Sequence, residues 1–492
     1  MKRFGSLTWF TALLFSLLAG CGGGGGTGVG IDSLVAEGGM GGSGITMGRA
    51  SSFDPLTING QAFDTTNSQF VYEEEVAIQP GDDSGLRVGM VVRVTSVYGN
   101  DLNLASQVEY AKVLEGAITL NEITPAGIGT LEALGQVITV NQDTIYNDGD
   151  LTLDIPLNTL PLGAMIELSG FTDGKGTILA TRIDLKSLTS DADTLQEIKG
   201  IISNLDLDGS SFNIGGLSID YTGLSLPQGF ENGIYGEVKG FLIGGLLEAS
   251  SLEIEGDGSL AVAADGERVL LEGIVTDVIQ ADVDGTLFVL NGQQVLATDL
   301  TGYDPGKSAA DILINQPMQV EGIMQGAILV AGQIDIKVSS ADKSVITATL
   351  EAIDKDAGLL TLLGQTVSLA SSTVFEDEVN PRFNLARVNE GDYLELSVSL
   401  DETSQLVASK MKKRHGTNNG KVEIEGTAQQ INLSDETLLV FNVKVHYPGL
   451  AALLADPGDH VELTGSYDQG TGTVEAETIS ISDNLQGTPP GL

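Results

Sequence analysis

Apolar and polar residues alternate with a period of two along most of this chain. Val461 and Leu463 alternate with Glu462 and Thr464, while Leu394, Leu396 and Val398 alternate with Glu395, Ser397 and Ser399. That period puts one face of a strand into a core and leaves the other in water. The pairs Asp173-Gly174, Asp208-Gly209, Asp284-Gly285 and Asn291-Gly292 separate such runs. Asx-Gly pairs supply the positive φ angles of two-residue hairpins. The pattern predicts an all-β chain of short strands joined mostly by hairpins.

The pattern also repeats. The frame from Gly176 to Leu185, with Ala180 ahead of Ile183, recurs from Gly245 to Ile254 and from Gly472 to Ile481. Looser copies set Ala105 before Val108, Ala331 before Ile334 and Ala408 before Met411. The alanines Ala105, Ala180, Ala249, Ala331, Ala408 and Ala476 lie 75, 69, 82, 77 and 68 residues apart. Three further markers keep a constant order around them. One is Gly-x-x-apolar-x-apolar, at Gly163 and Gly458; another is apolar-x-Gly, at Gly116, Gly200, Gly273 and Gly426. The last is Gly-Gln between apolar runs, at Gly60, Gly135, Gly292 and Gly364. Ordered markers at a fixed spacing mean tandem copies of one folding unit.

Each unit of about 70 residues has room for five or six short strands. An open sheet that small exposes two edges, and closing it into a barrel removes them. The chain therefore reads as six tandem small OB-like or SH3-like five- to six-stranded β-barrels. They span 44–113, 114–187, 197–256, 271–338, 345–413 and 423–483, before a tail at 484–492. Within the frame, Ile178 and Ala180 share one face and Ile183 and Leu185 share another, unless one extra residue sits at 181–182. If all four are core, a β-bulge is required there; the alternative is a strand buried on both faces.

The N-terminus changes the picture from fold to address. Lys2 and Arg3 precede an apolar run from Leu7 to Ala19. That run is short of the ~20 residues that span a bilayer and fits a secretory signal at 1–20. Leu18-Ala19-Gly20-Cys21 resembles the bacterial lipobox. The resemblance implies cleavage between Gly20 and Cys21 and attachment of fatty acyl chains such as palmitate to Cys21. The Gly-rich segment 21–43, opening on Gly22 to Gly26, reads as a flexible tether. In a Gram-negative host Gly22 favours an outer-membrane, lipid-anchored protein. Nothing after residue 21 approaches 18 consecutive apolar residues.

Net charge is −43, and becomes −45 once the signal leaves with Lys2 and Arg3. So acidic a surface repels phosphate backbones and argues against nucleic acid as a partner. Cys21 is the only cysteine, so disulfides, thiolate zinc sites and thiol nucleophiles are excluded.

At the level of whole segments the chain resembles a known family. Leu86–Val94, Leu134–Val140 and Gly176–Leu185, together with the Gly-rich lipoprotein start, look like the bacterial repeats called domain of unknown function 5666. The likeness runs over about residues 44–483. It implies small β-barrel repeats on exported proteins, and it implies no catalytic residue.

Candidate chemistry is sparse. Asp206 and Asp208, and likewise Asp282 and Asp284, open like D-x-D-G calcium loops. Both fall at the first hairpin turn of a unit, where Asp-Gly serves geometry, so plain turns are the first reading and weak Ca²⁺ binding the alternative. His415, His446 and His460 show no zinc-site spacing, and no G-x-S-x-G elbow is present. The basic run from Lys410 to His415 reads as a solvated linker, with docking against an acidic face as the alternative. Arg93, Glu167, Glu237, Gln319, Glu395 and Glu462, on the strand before the alanine, read as a mostly acidic solvent face. No aromatic residue recurs at a fixed repeat position. Together these features predict a non-enzymatic, exported, lipid-anchored envelope protein without a resident cofactor, acting as a multi-repeat interaction or scaffold module. Its partners would be the membrane through Cys21 and envelope proteins or glycans. The rival is a weak divalent-cation or polysaccharide binder.

Overall fold

The computed structural model describes residues 43–73, 75–77, 79–97, 102–149, 155–254, 263–282, 285–337, 344–401, 403–415, 420–453 and 455–482. Within them the extended elements are β-strands, and the helical pieces are short 3-10 turns such as Leu157–Thr159 and Leu385–Arg387. The strands make three sheets of 12, 11 and 11 members, rolled into repeated small five-stranded barrels.

One barrel shows how the alternation closes. Leu114–Ile123 pairs antiparallel with Gly129–Ala133, and that strand with Gln136–Val140. Gln136–Val140 then runs parallel to Thr177–Ser187. Thr177–Ser187 pairs antiparallel with Met165–Thr172, which returns to Leu114–Ile123 and shuts the ring. Ile138, Val140, Leu168, Ile178 and Ile183 point inward and are almost fully buried. The crossover between the third and fourth strands carries the Leu157–Thr159 turn. The same ring recurs from Leu195 to Ile254, from Arg268 to Ile336 and from Lys421 to Ser482, each with its third and fifth strands parallel.

The recurrent markers have local physical causes. Leu134-Gly135 and Asn291-Gly292 both take positive φ, 48° and 67° in the first and 46° and 83° in the second. They are the two-residue hairpins that the Gly-Gln marker announced. The apolar-x-Gly marker makes room for the first residue of that turn. A Cβ on Gly273 would lie 2.1 Å from Asn291 Nδ2, and one on Gly116 would lie 2.6 Å from Leu134 Cγ. Asn291 uses this close approach: the Ile274 amide donates to its Oδ1 at 3.1 Å, and its Nδ2 donates to the Glu272 carbonyl at 2.9 Å. At Asp208-Gly209 the expectation fails, because the positive φ of 51° falls on Ser210 instead.

The bulge is present, and it recurs. Ser169 pairs with Arg182 but Gly170 pairs with Ala180, leaving Thr181 as the extra residue. Ile178, Ala180, Ile183 and Leu185 all enter one core as a result. Equivalent shifts skip Ser106, Ser250, Gly332, Ser409 and Glu477, each directly after a frame alanine. A bulge interrupts the ladder and leaves a backbone group without its partner. Three of the skipped residues answer with a hydroxyl that donates to the opposite strand. Ser106 reaches Thr95 O, Thr181 reaches Ser169 O and Ser250 reaches Lys239 O, each at 3.0 Å.

The barrels also join one another through their strands. Within one sheet Leu114 and Glu115 pair across barrels with Ile198 and Glu197, and within another Ile346 pairs with Ile424. More distant in sequence, residues 44–47 run parallel to residues 268–271. Two of the hydrophobic cores accordingly run through two barrels each, one from Val113 to Leu247 and one from Ile346 to Ala476. The described residues behave as one compact unit.

Candidate functional site

Joining barrels edge to edge puts polar strand faces against one another. Of the six positions read as a solvent face, only Glu462 is exposed; Glu237 and Gln319 are buried, and Arg93, Glu167 and Glu395 are half-buried. Their partners come from neighbouring strands and barrels. Tyr110 donates to Glu167 Oε1 at 3.0 Å, and Lys186 donates to its Oε2 at 2.8 Å. Glu237 sits between Lys199 at 2.7 Å and Lys239 at 2.6 Å. Burial alone would raise the Glu237 pKa, but the two ammonium groups outweigh it and hold the carboxyl below its ordinary value. Nearby Glu197, 6% exposed, is pushed up by burial even though Lys112 lies 3.1 Å away.

A second buried pair joins the sheet formed by residues 44–47 and 268–271. Arg49 Nε lies 3.3 Å from Glu272 Oε1, and the Arg49 amide donates to Glu272 Oε2 at 3.1 Å. Asp143, from a third barrel, lies 3.9 Å from Arg49 NH1.

The basic run Lys410 to His415 is not a solvated linker. Lys410 to Lys413 lie in the strand Leu406–Lys413, and Lys410 is buried. Lys412 faces Glu376 at 3.0 Å and also contacts Glu378, Lys413 meets Asp392 at 2.7 Å, and Arg414 meets Glu395 at 3.4 Å. The run was therefore written for acidic partners, most of them within its own barrel. Desolvation would raise the Glu376 pKa, yet Lys410 and Lys412 bring it below the ordinary range.

This strand also forms one wall of a cleft of about 300 Å³. The other wall comes from residues 125–127, 140–142, 144, 146–148 and 155–158 of the barrel that starts at Leu114. Three bonds tie the walls together. Ser397 Oγ donates to Gln142 O at 3.2 Å, Ser409 Oγ donates to Asp143 Oδ1 at 2.6 Å, and Lys410 Nζ donates to Thr144 O at 3.3 Å. Gln142 Oε1 and Tyr146 Oη are buried without a hydrogen-bond partner among the described residues. Burial pushes the Tyr146 phenol pKa up, and Asp148 adds to the rise.

The residues picked out as ligands fall elsewhere. Asp206 is exposed, and its Oδ1 accepts from the amides of Asp208 at 3.0 Å and Gly209 at 2.9 Å, a turn-forming role. Asp282 ends a strand and accepts from Gln280 Nε2 at 2.7 Å, while Asp284 lies outside the described residues. Cys21, Gly20, the signal and the tether also lie outside them. Among the described residues, three potential ligands converge at Glu425, His460 and Glu462, and at Glu73, Glu197 and Glu237. The second group already holds lysines. In the first, hydrogen bonding to Glu425 raises the His460 pKa. The cleft and the Arg49–Glu272 pair escaped the sequence because their members lie 223 to 266 positions apart. The one available signal was Lys410 to Arg414, an isolated basic run in an acidic chain.

With this geometry in place, likeness to known proteins can be stated. Residues 115–184, 254–335 and 347–412 match the family Domain of unknown function (DUF5666). Over these three stretches the chain is similar to DUF5666 repeats. They contain the frame alanines Ala180, Ala331 and Ala408, each followed by its bulge. No curated protein matches the chain. Among solved structures, Drosophila Unr CSD456 is 13% identical over 43% of this chain and 97% of its own, with a TM-score of 0.18. A Streptococcus pneumoniae multidomain protein with nucleic acid binding domains is 10% identical over 42% of this chain and 72% of its own, with a TM-score of 0.12. Likenesses that weak carry no weight for fold or function. No helix among the described residues is long and apolar enough to cross a membrane.

Proposed function

We propose that this is a non-enzymatic, lipid-anchored protein of the bacterial cell envelope, acting as a multi-barrel interaction or scaffold module. It would be built of six copies of one OB-like unit, fixed to the membrane through Cys21 and tethered by residues 21–43. The OB-like form is preferred over the SH3-like one because the third strand pairs in parallel with the fifth in a ring of five. The joining of barrels through shared strands and buried ion pairs carries the scaffold reading. Rigidly spaced surfaces engage several sites on a partner without the entropic cost of ordering linkers. In a Gram-negative host the outer membrane is the expected address.

Two measurements test this reading. The wild-type chain should enter the detergent phase and carry acyl chains on Cys21, and Cys21→Ser should remain aqueous. In envelope extract, the lipidated chain should cross-link to one envelope protein through at least two barrels. Unmodified Cys21, or cross-links confined to one barrel, would overturn the corresponding half.

A second reading, as a ligand binder, draws on the polar cleft between barrels. That cleft lies at a junction between barrels and not at a hairpin turn of one repeat. It makes the Asp-rich turns the weaker candidates for this role.

A further inference from the structure

We infer that the cleft between the barrel of residues 114–187 and the strands of residues 344–414 binds a neutral, hydroxyl-rich ligand of the saccharide class. The inference deepens the ligand-binding reading and does not depend on the lipid anchor.

Three features of the cleft converge on this class. The first is charge. Lys410, Lys412 and Arg414 enter it from one wall, and Glu376, Glu378 and Glu395 already face them. An anionic ligand would have to pull a cation from its carboxylate, and a cationic ligand would have to do the reverse. Either exchange strips a partly desolvated group of its partner. A hydroxyl both donates and accepts, so it fits between such pairs without separating them.

The second feature is unmet hydrogen bonding. Gln142 is 8% exposed, yet among the described residues its Oε1 has no donor, and Tyr146 Oη is likewise unmatched. Both side chains line the cleft. Buried polar groups are normally satisfied, so two orphans in one small cavity mark a place where an external partner belongs. Asn158 lines the same wall, as does Asn147, whose Nδ2 donates to Asp184 Oδ1 at 2.9 Å and whose Oδ1 accepts from the Gly149 amide at 3.2 Å. Planar amides at fixed positions read hydroxyl orientation through paired donor and acceptor atoms.

The third feature is an apolar strip. Ile155, Pro156 and Leu157 contribute apolar surface to the lining, as does the ring of Tyr146. A sugar ring presents C–H faces as well as hydroxyl edges, and burying such a face against this strip adds a hydrophobic contribution. The volume of about 300 Å³ lies at the lower end of small-molecule sites, which suits one or two sugar rings better than a folded partner. Because the site sits at a junction of two barrels, it needs no aromatic platform repeated in every unit.

The test is a titration of the full chain, followed by calorimetry and ligand-detected NMR. The probes are neutral oligosaccharides of glucose and of N-acetylglucosamine, with oligogalacturonate as the anionic control and spermidine as the cationic one. At least one neutral oligosaccharide should bind saturably, and oligogalacturonate and spermidine should bind at least tenfold more weakly. Tyr146→Phe, which deletes only the orphan hydroxyl, and Gln142→Ala should each weaken that binding about tenfold. Thermal unfolding of Tyr146→Phe should stay at the wild-type temperature, so a loss of binding there is not a loss of fold. The inference is overturned if no neutral oligosaccharide binds, if either charged probe binds more tightly, or if Tyr146→Phe binds like wild type. Failure here would leave the acylation and cross-linking results untouched.

Discussion

Replacing Thr181 with valine tests the account of how these barrels close. Valine keeps the shape and β-branching of threonine, so strand preference and packing change little. What disappears is the donor that meets Ser169 O at 3.0 Å across the bulge. Thr181 is 3% exposed, so water does not readily replace it. A buried carbonyl left without a donor costs about 1–3 kcal/mol. Ser250 makes the same 3.0 Å bond to Lys239 O but is exposed, and there water takes over. Ser250→Ala should therefore fall within the roughly 0.5 kcal/mol range of surface changes.

For a chain of 492 residues a single unfolding free energy is poorly defined, so the assay should be local. Native-state amide exchange across Met165–Thr172 and Thr177–Ser187 reads the opening of this strand pair directly. Thr181→Val should lower protection there by about 5- to 150-fold, the equivalent of 1–3 kcal/mol. Protection across Tyr235–Ile243 should hardly change in Ser250→Ala. Equal effects of the two substitutions, or none from Thr181→Val, would refute the idea that the hydroxyl stands in for a lost ladder bond.

Two other outcomes follow from the buried charges. Glu272→Leu strands Arg49, whose side chain is 10% exposed, with Asp143 at 3.9 Å; amide exchange across Ser43–Ser52 and Arg268–Asp282 should show local opening made easier by about 3 kcal/mol. The double change Arg49→Met with Glu272→Leu should recover most of that difference, and a single change without effect would mean the pair does not hold the two strands together. Glu237 and Glu376 have pKa values depressed by neighbouring lysines, so their contribution is complete above the ordinary carboxylate value of about 4.3 and is lost as pH falls through the lower folded values. Unfolding temperature should hold steady from pH 7 to 5 and drop below about pH 4; a decline already under way at pH 6 would contradict the assignment.

Much of the local architecture could be read before any coordinates. Alternation gave the strands, and Asn291-Gly292 gave a hairpin, because both depend on neighbours one or two residues away. The bulge after Ala180 was readable because the step from Ala180 to Ile183 breaks a two-residue period. By contrast, Glu237 and Glu395 looked like solvent residues because their alternation says only that they face away from their own barrel. What covers an outward face is set by other strands, and the sequence near Glu237 says nothing of the Lys199 ammonium that meets it across the sheet. The run Lys410 to Arg414 was misread for the same reason, since a charge pattern shows sign without showing partner.

The chain by itself determined its strands, its turns, its bulges and the size of its folding unit, all set by backbone geometry over a few residues. Tertiary structure alone decided which barrels share a sheet and which charges are buried. It also decided where a cleft remains between them. Those outcomes depend on edge pairing and desolvation among segments tens to hundreds of residues apart, and no local period encodes such distances.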